Sequence, residues 1–160
     1  MTLTVGVADL KVSRDPSDQI ITHALGSCLG ITVYDPVAKV GGMLHAMLPD
    51  SGIDPRKAET HPFMFVDTGV PRLFLDSYKL GAQKQRLVVK VAGGATSKAN
   101  AEDDYFQIGK RNFVTLRKLF WKNNVLIRAH DVGGSESRTM VLNLATGEVR
   151  LKVSGVDRPL

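Results

Sequence analysis

The chain has 160 residues, 43% of them apolar and 23% charged, with a formal net charge of +5 and one cysteine. That is the size of one domain with a core large enough to fold without staples, and one cysteine excludes an internal disulfide framework. No apolar run approaches the ~20 residues of a membrane span, and the N-terminus lacks a basic start followed by an apolar block, so the expectation is a single cytoplasmic domain over residues 1–160 with no direct membrane insertion.

In chain order, residues 2–13 alternate loosely and read as a strand, and 14–18 as a turn. Residues 19–25 read as a strand that Gly26-Ser27 interrupts, and the β-branched run 29–34 as another. The stretch 35–38, with Pro36 at a favoured turn position, leads into a strand over 39–48, where the glycine pair Gly41-Gly42 is a candidate bulge that would shift the register. Residues 49–62 are polar and rich in Pro and Gly, hence a surface loop. The period then becomes helical over 67–81, with Val70, Leu73, Phe74 and Ser77-Tyr78 on one face, Asp67 or Thr68 as cap and Gly81 as stop. A strand over 86–94 follows, then a second helix over 108–124 with Phe113, Leu116 and Phe120 inward. A strand at 125–134 and a hairpin over 137–155 turning at Ala145-Thr146-Gly147 complete an α+β chain, sheets covered by helices.

Cys28 lies in a Gly-Ser-Cys turn, and His45 lies on the strand after the next turn. With 35–38 as the hairpin loop, Tyr34 pairs with Lys39, and the same register sets Cys28 opposite His45. The chemistry needs such a pair: only a few per cent of a free thiol is thiolate at neutral pH, and an adjacent imidazole takes its proton and later protonates a leaving group. Thr22 and His23, just upstream, are candidates for orienting the imidazole. Gly26 and Ser27 leave room for substrate, and backbone N–H groups there are candidates for holding an oxyanion. The bland alternatives are a small buried cysteine, a satisfied core histidine and a strand threonine.

Other features point to less. The four histidines show no metal-ligand spacing, so no metal or cofactor is expected. Residues 92–98 are glycine-rich without the ending of a phosphate loop, and 131–138 reads as a loop into the final hairpin rather than an anion nest. Asp50, Asp54, Glu59, Glu102, Asp103 and Asp104 read as solvated loop charges. Lys110, Arg111, Arg117, Lys118 and Lys122 gather on the second helix without the motif of a nucleic-acid reader, so no nucleic-acid partner is expected. A solvated helix face or a docking surface for an acidic partner accounts for them.

From about residue 4 to 154 the chain resembles the chemoreceptor glutamine deamidases, the CheD family of bacterial chemotaxis. The resemblance is carried by THALGSC (22–28), DPVAKVGGMLHAMLPDSG (35–52), KVAGGA (90–95), IGKR with NFVTLRKLF (108–120) and DVGGSESRTM (131–140). It implies a β-sandwich-like core flanked by helices, akin to the catalytic domain of cytotoxic necrotizing factor toxins. It implies Cys28 as nucleophile, His45 as its base and Thr22 as the third member, acting on receptor glutamines through a thioester, with methylesterase activity in some members. The implied partners are the cytoplasmic parts of methyl-accepting chemotaxis receptors and a CheC-type phosphatase. The competing expectations are a non-catalytic regulator of such a phosphatase and a small cysteine peptidase.

Overall fold

The computed structural model describes residues 1–96 and 106–160. Ten strands form two five-stranded sheets. The first sheet is ordered β1 (Thr2–Val5), β3 (Gln19–Leu25), β8 (Arg138–Asn143), β9 (Val149–Val153) and β10 (Val156–Pro159). The second is ordered β2 (Asp9–Ser13), β5 (Val40–Ala46), β4 (Leu29–Asp35), β6 (Val88–Gly93) and β7 (Ala129–Val132). A short α1 (Pro55–Thr60), α2 (Val66–Lys79) and α3 (Ile108–Lys122) complete the chain. The architecture is the α+β, β-sandwich-like core flanked by helices expected above.

Two cores follow from the pleat. Leu29, Ile31, Val33, Leu44 and Ala46 face α2 and α3, meeting Val70, Leu73, Phe74, Leu116 and Phe120. The alternate positions Tyr34 and Met43 face the other sheet, meeting Ile20, Leu25, Met140, Leu142 and Leu151. With both faces covered, every residue of β4 and β5 is buried, which is why these strands read as nearly continuous apolar runs rather than alternating ones. Each large side chain removed from water here contributes about 1.5–3 kcal/mol.

Several local expectations are corrected. Residues 2–13 form two strands in different sheets, because Ala8 adopts φ 56° and the Asp9 carboxylate accepts from Gly6 N–H at 3.1 Å, closing a turn between them. The β4–β5 loop is 36–39, not 35–38. Asp35 stays in the strand opposite Val40 while its Oδ1 accepts from Val37 and Ala38 N–H. The ladder runs through Gly41-Gly42 without a bulge, and glycine is needed there for close approach, since a Cβ on Gly41 would lie 2.3 Å from Leu144. The 49–62 segment is not plain loop but contains a 3-10 turn (Ser51–Ile53) and α1. α2 begins at Val66 after Phe65. Asp67 accepts instead from Ser51, and Thr68 donates to Pro62 O, so neither caps it. Strands β6 and β7 are shorter than the runs that suggested them, and β10 was not anticipated. The loop at 131–138 is gathered around Arg138, whose guanidinium donates to Gly133 O, Gly93 O and Glu136 O and pairs with Asp131. The predicted loop charges Glu102, Asp103 and Asp104, and Ser97-Lys98 of the glycine-rich stretch, lie outside the described residues.

Asp35 also anchors the far end of the hairpin. Its fully buried carboxylate accepts from Gln83 N–H at 2.9 Å and pairs with Arg86 at 2.8 Å. Burial alone would raise its pKa, but the Arg86 bond and the three backbone N–H groups outweigh it and hold the carboxyl at about 2, below the usual 3.8. A lowered folded pKa stabilises the fold above the unfolded value, and the stabilisation is lost as pH falls towards the folded one, here about 2 kcal/mol between roughly pH 4 and 2. Asp35→Asn is expected to lower the urea midpoint at pH 7 and to approach wild type as both are acidified towards pH 2. A gap independent of pH would refute this account.

Candidate active site

β3 carries Thr22 just before a bulge. Its register against β8 slips between Thr22 and Leu25, and Ala24 takes φ 56°. Such bulges re-aim the chain, and this one leads β3 into the Gly26-Ser27-Cys28 turn. Gly26 N–H donates to Ala24 O at 3.0 Å. The three carbonyls of the turn are then held from outside it: Gly26 O by Ala95 N–H at 2.8 Å, Ser27 O by the Asn112 side chain at 2.9 Å, and Cys28 O by Gly94 N–H at 2.9 Å. Ser27 is exposed and Gly26 half-exposed. Cys28 is half-buried, packed at the rim of the core between the sheets.

His45 lies on β5, and its partner on β4 is Gly30, not Cys28. The loop at 36–39 moves the register by two residues from the expected one. A two-residue shift preserves the face. His45 alternates with Leu44 and Ala46, which face the helices, so it points towards the first sheet. Cys28 sits one pair beyond the end of the ladder, diagonal to His45 on the same face. His45 is 1% exposed, and its Nδ1 lies 2.7 Å from Thr22 Oγ1 across the sandwich. The exposed His23 takes no part in that bond.

The bonding assigns the tautomer. The single hydroxyl proton of Thr22 goes to Val5 O at 2.8 Å. Its oxygen therefore accepts from His45 Nδ1–H, leaving Nε2 unprotonated. That Nε2 is buried and has no hydrogen-bond partner among the described residues. Burial lowers the His45 pKa below its usual value, with Asp9 opposing weakly, and burial raises that of the Cys28 thiol. At neutral pH these shifts leave the Cys28 thiol and the His45 imidazole both uncharged, with the Nε2 lone pair open on the face that Cys28 shares. Concavities of about 460, 790 and 710 Å³ on the described surface lie along β6, β7, α3 and the segment after it, and none of the three is lined by Cys28.

Residues 47–153 match the family model described as CheD chemotactic sensory transduction. A probable chemoreceptor glutamine deamidase CheD 1 of Syntrophus aciditrophicus is 50% identical over 151 residues, covering 94% of this chain and 93% of that protein. The chain belongs to the CheD family. A probable chemoreceptor glutamine deamidase CheD of Solibacter usitatus is 44% identical, covering 99% of this chain and 92% of its own. One from Pyrococcus abyssi is 41% identical, covering 94% and 90%. Thr22, Cys28 and His45 precede the segment that the CheD model matches, whereas these relatives align over nearly the whole chain. Sequence reasoning passed over Asn112. Its one available signal is a polar residue four and eight positions before the inward Leu116 and Phe120, on the apolar face of α3.

Proposed function

We propose that this chain is a chemoreceptor glutamine deamidase in which Cys28 is the nucleophile, His45 the general base and acid, and Thr22 the residue that orients His45. The observation that carries it is the Thr22–His45 bond, which leaves a buried, unprotonated Nε2 on the face that Cys28 shares. The names of the curated relatives supply the substrate class.

His45 Nε2 takes the thiol proton as Cys28 Sγ attacks the side-chain carbonyl carbon of a receptor glutamine. The developing oxyanion lies over the exposed turn, where Ser27 and Cys28 N–H are the donors at hand, Gly26 N–H being bonded to Ala24 O. The imidazolium gives its proton to the departing nitrogen, ammonia leaves, and a thioester remains. Water, deprotonated by His45, attacks the thioester, and the thiolate departs and is reprotonated. Glutamine has become glutamate, adding a negative charge at that site on the receptor. The partners of this reading are the cytoplasmic segments of methyl-accepting receptors, with a CheC-type phosphatase as a regulator, and its compartment is the cytoplasm.

The test incubates the cytoplasmic part of a receptor from the same cell with wild type and Cys28→Ala and reads peptide masses. The expected result is a gain of about one dalton at particular glutamines with wild type and none with the variant. No gain with either protein, together with binding of a CheC-type phosphatase by both, would replace this reading with the non-catalytic regulator, and receptor backbone cleavage would replace it with a peptidase.

A further inference from the structure

We propose that Asn112 is a positioning residue for the reaction, a side chain on α3 that sets the spacing between the Cys28 turn and the His45 strand; this rests on the Cys28–His45 reading above. Asn112 is completely buried, in line with Leu116 and Phe120 on the inward face of α3. Its Nδ2 donates to Ser27 O at 2.9 Å and to Met47 O at 3.0 Å. Two carbonyl oxygens converge on one atom of the amide, and only the NH2 end has protons for both, so the orientation of the group is determined.

The two acceptors are placed tellingly. Ser27 immediately precedes Cys28, and Met47 follows His45 by two residues. The β4–β5 ladder ends at Leu29–Ala46, so Cys28 and Met47 would form the next pair. They do not pair with each other. Met47 N–H donates to Met64 O, and Cys28 O accepts from Gly94 N–H. At the point where the ladder opens, the Asn112 amide takes its place, spanning the gap between the chain that carries the thiol and the chain that carries the imidazole.

Asn112 Oδ1 is buried with no hydrogen-bond partner among the described residues. An acceptor left in that condition weakens the fold. A buried polar group that costs stability while its two N–H protons are given to backbone carbonyls of the site is the pattern of a local rule broken for function. Thr22 orients the imidazole ring from the first sheet. Asn112 acts from the helical layer on the other side of β4 and β5, and it acts on distance. Without it, the ladder is free to open further from Leu29–Ala46, and a displacement of about 1 Å at the reacting atoms costs on the order of 100-fold in rate.

The experiment compares wild type, Asn112→Ala, Asn112→Asp, Leu116→Ala and His45→Ala. Asn112→Asp keeps the shape and removes the NH2 donor, and it carries the test if Asn112→Ala fails to fold. Leu116→Ala loosens α3 one turn away without touching either carbonyl. Two readouts are taken on folded protein: the pH profile of Cys28 alkylation by iodoacetamide, and kcat and KM on the receptor fragment. Expected for both Asn112 variants are a kcat lower by about 100-fold, KM within about threefold of wild type and an alkylation profile moved towards that of His45→Ala, while Leu116→Ala keeps the wild-type profile. Wild-type kcat in the Asn112 variants, or a profile that does not move, or one that Leu116→Ala moves equally, would overturn the proposal. If His45→Ala alkylates as wild type does, the Cys28–His45 reading itself fails and this proposal falls with it; an intact His45 dependence with unmoved Asn112 variants refutes the positioning role alone.

Discussion

His45→Ala is expected to lower kcat on the receptor fragment by about 10³- to 10⁴-fold while leaving a folded protein. The size follows from the resting state of the pair. Burial raises the Cys28 pKa, so the thiol keeps its proton at neutral pH, and in the proposed mechanism attack depends on a base that removes it as substrate arrives. Of the two His45 ring nitrogens, Nδ1 is bonded to Thr22, and Nε2 has no partner among the described residues and is free to do so. Thr22→Val is expected to cost less, about 10- to 100-fold, because the base remains while its tautomer and aim are lost. The ordering is the check. If Thr22→Val and His45→Ala were equally damaging with melting temperatures far below wild type, the Thr22 bond would be a packing contact. Wild-type turnover by His45→Ala would remove the imidazole from the mechanism.

The second large effect is expected at a residue that touches no substrate. Gly93→Ala is expected to lower stability by about 3 kcal/mol or more, a fall of roughly 10 °C in melting temperature for a chain of this size. Gly93 ends β6 with φ 115°, a conformation that side chains resist. A Cβ there would lie 2.1 Å from the backbone oxygen of Cys28. Both atoms of that clash are anchored. Gly93 pairs with Leu29, the residue after the cysteine, and Gly94 N–H holds Cys28 O. Relief therefore comes by moving the Cys28 turn, and the folded fraction is expected to lose about 100-fold in turnover as well. Thermal melts and assays well below the transition separate the two losses. A variant with wild-type melting and wild-type activity would show that the turn is far softer than these contacts indicate.

Much of the geometry of this candidate site was legible in the sequence, and the manner of the register error is instructive. The cysteine turn, the apolar strand after it and the strand bearing His45 were readable from β-branched runs and glycine breaks. The register was misread by two residues because a turn signal names a turn without saying which residue is last in the strand. Asp35 belongs to the ladder because its carboxylate caps the loop and finds Arg86 and Gln83, 51 and 48 residues away. Since facing depends only on parity, the shift turned direct opposition into a diagonal and kept both side chains between the sheets. The split of residues 2–13 into strands of two sheets was not legible, because nothing local distinguishes Ala8 from any other strand alanine. Asn112 was hidden for the converse reason: a helix face read as apolar tolerates one polar residue without comment, and its acceptors lie 85 and 65 residues away.

The N-terminal strand gives the site a second threshold. β1 is four residues long and lies at the edge of its sheet, yet Val5 O takes the Thr22 proton, and just beyond β1 the Ala8 N–H binds His45 O. Edge strands open locally at a free energy well below that of global unfolding. When β1 lifts, the Thr22 hydroxyl loses its acceptor and is free to donate to Nδ1 instead, which favours the tautomer with the ring proton on Nε2 and leaves that nitrogen unable to accept one. On the proposed mechanism, warming or dilute denaturant is expected to silence turnover while the sandwich remains folded, so that activity reports the integrity of β1 before any spectroscopic signal of the core does.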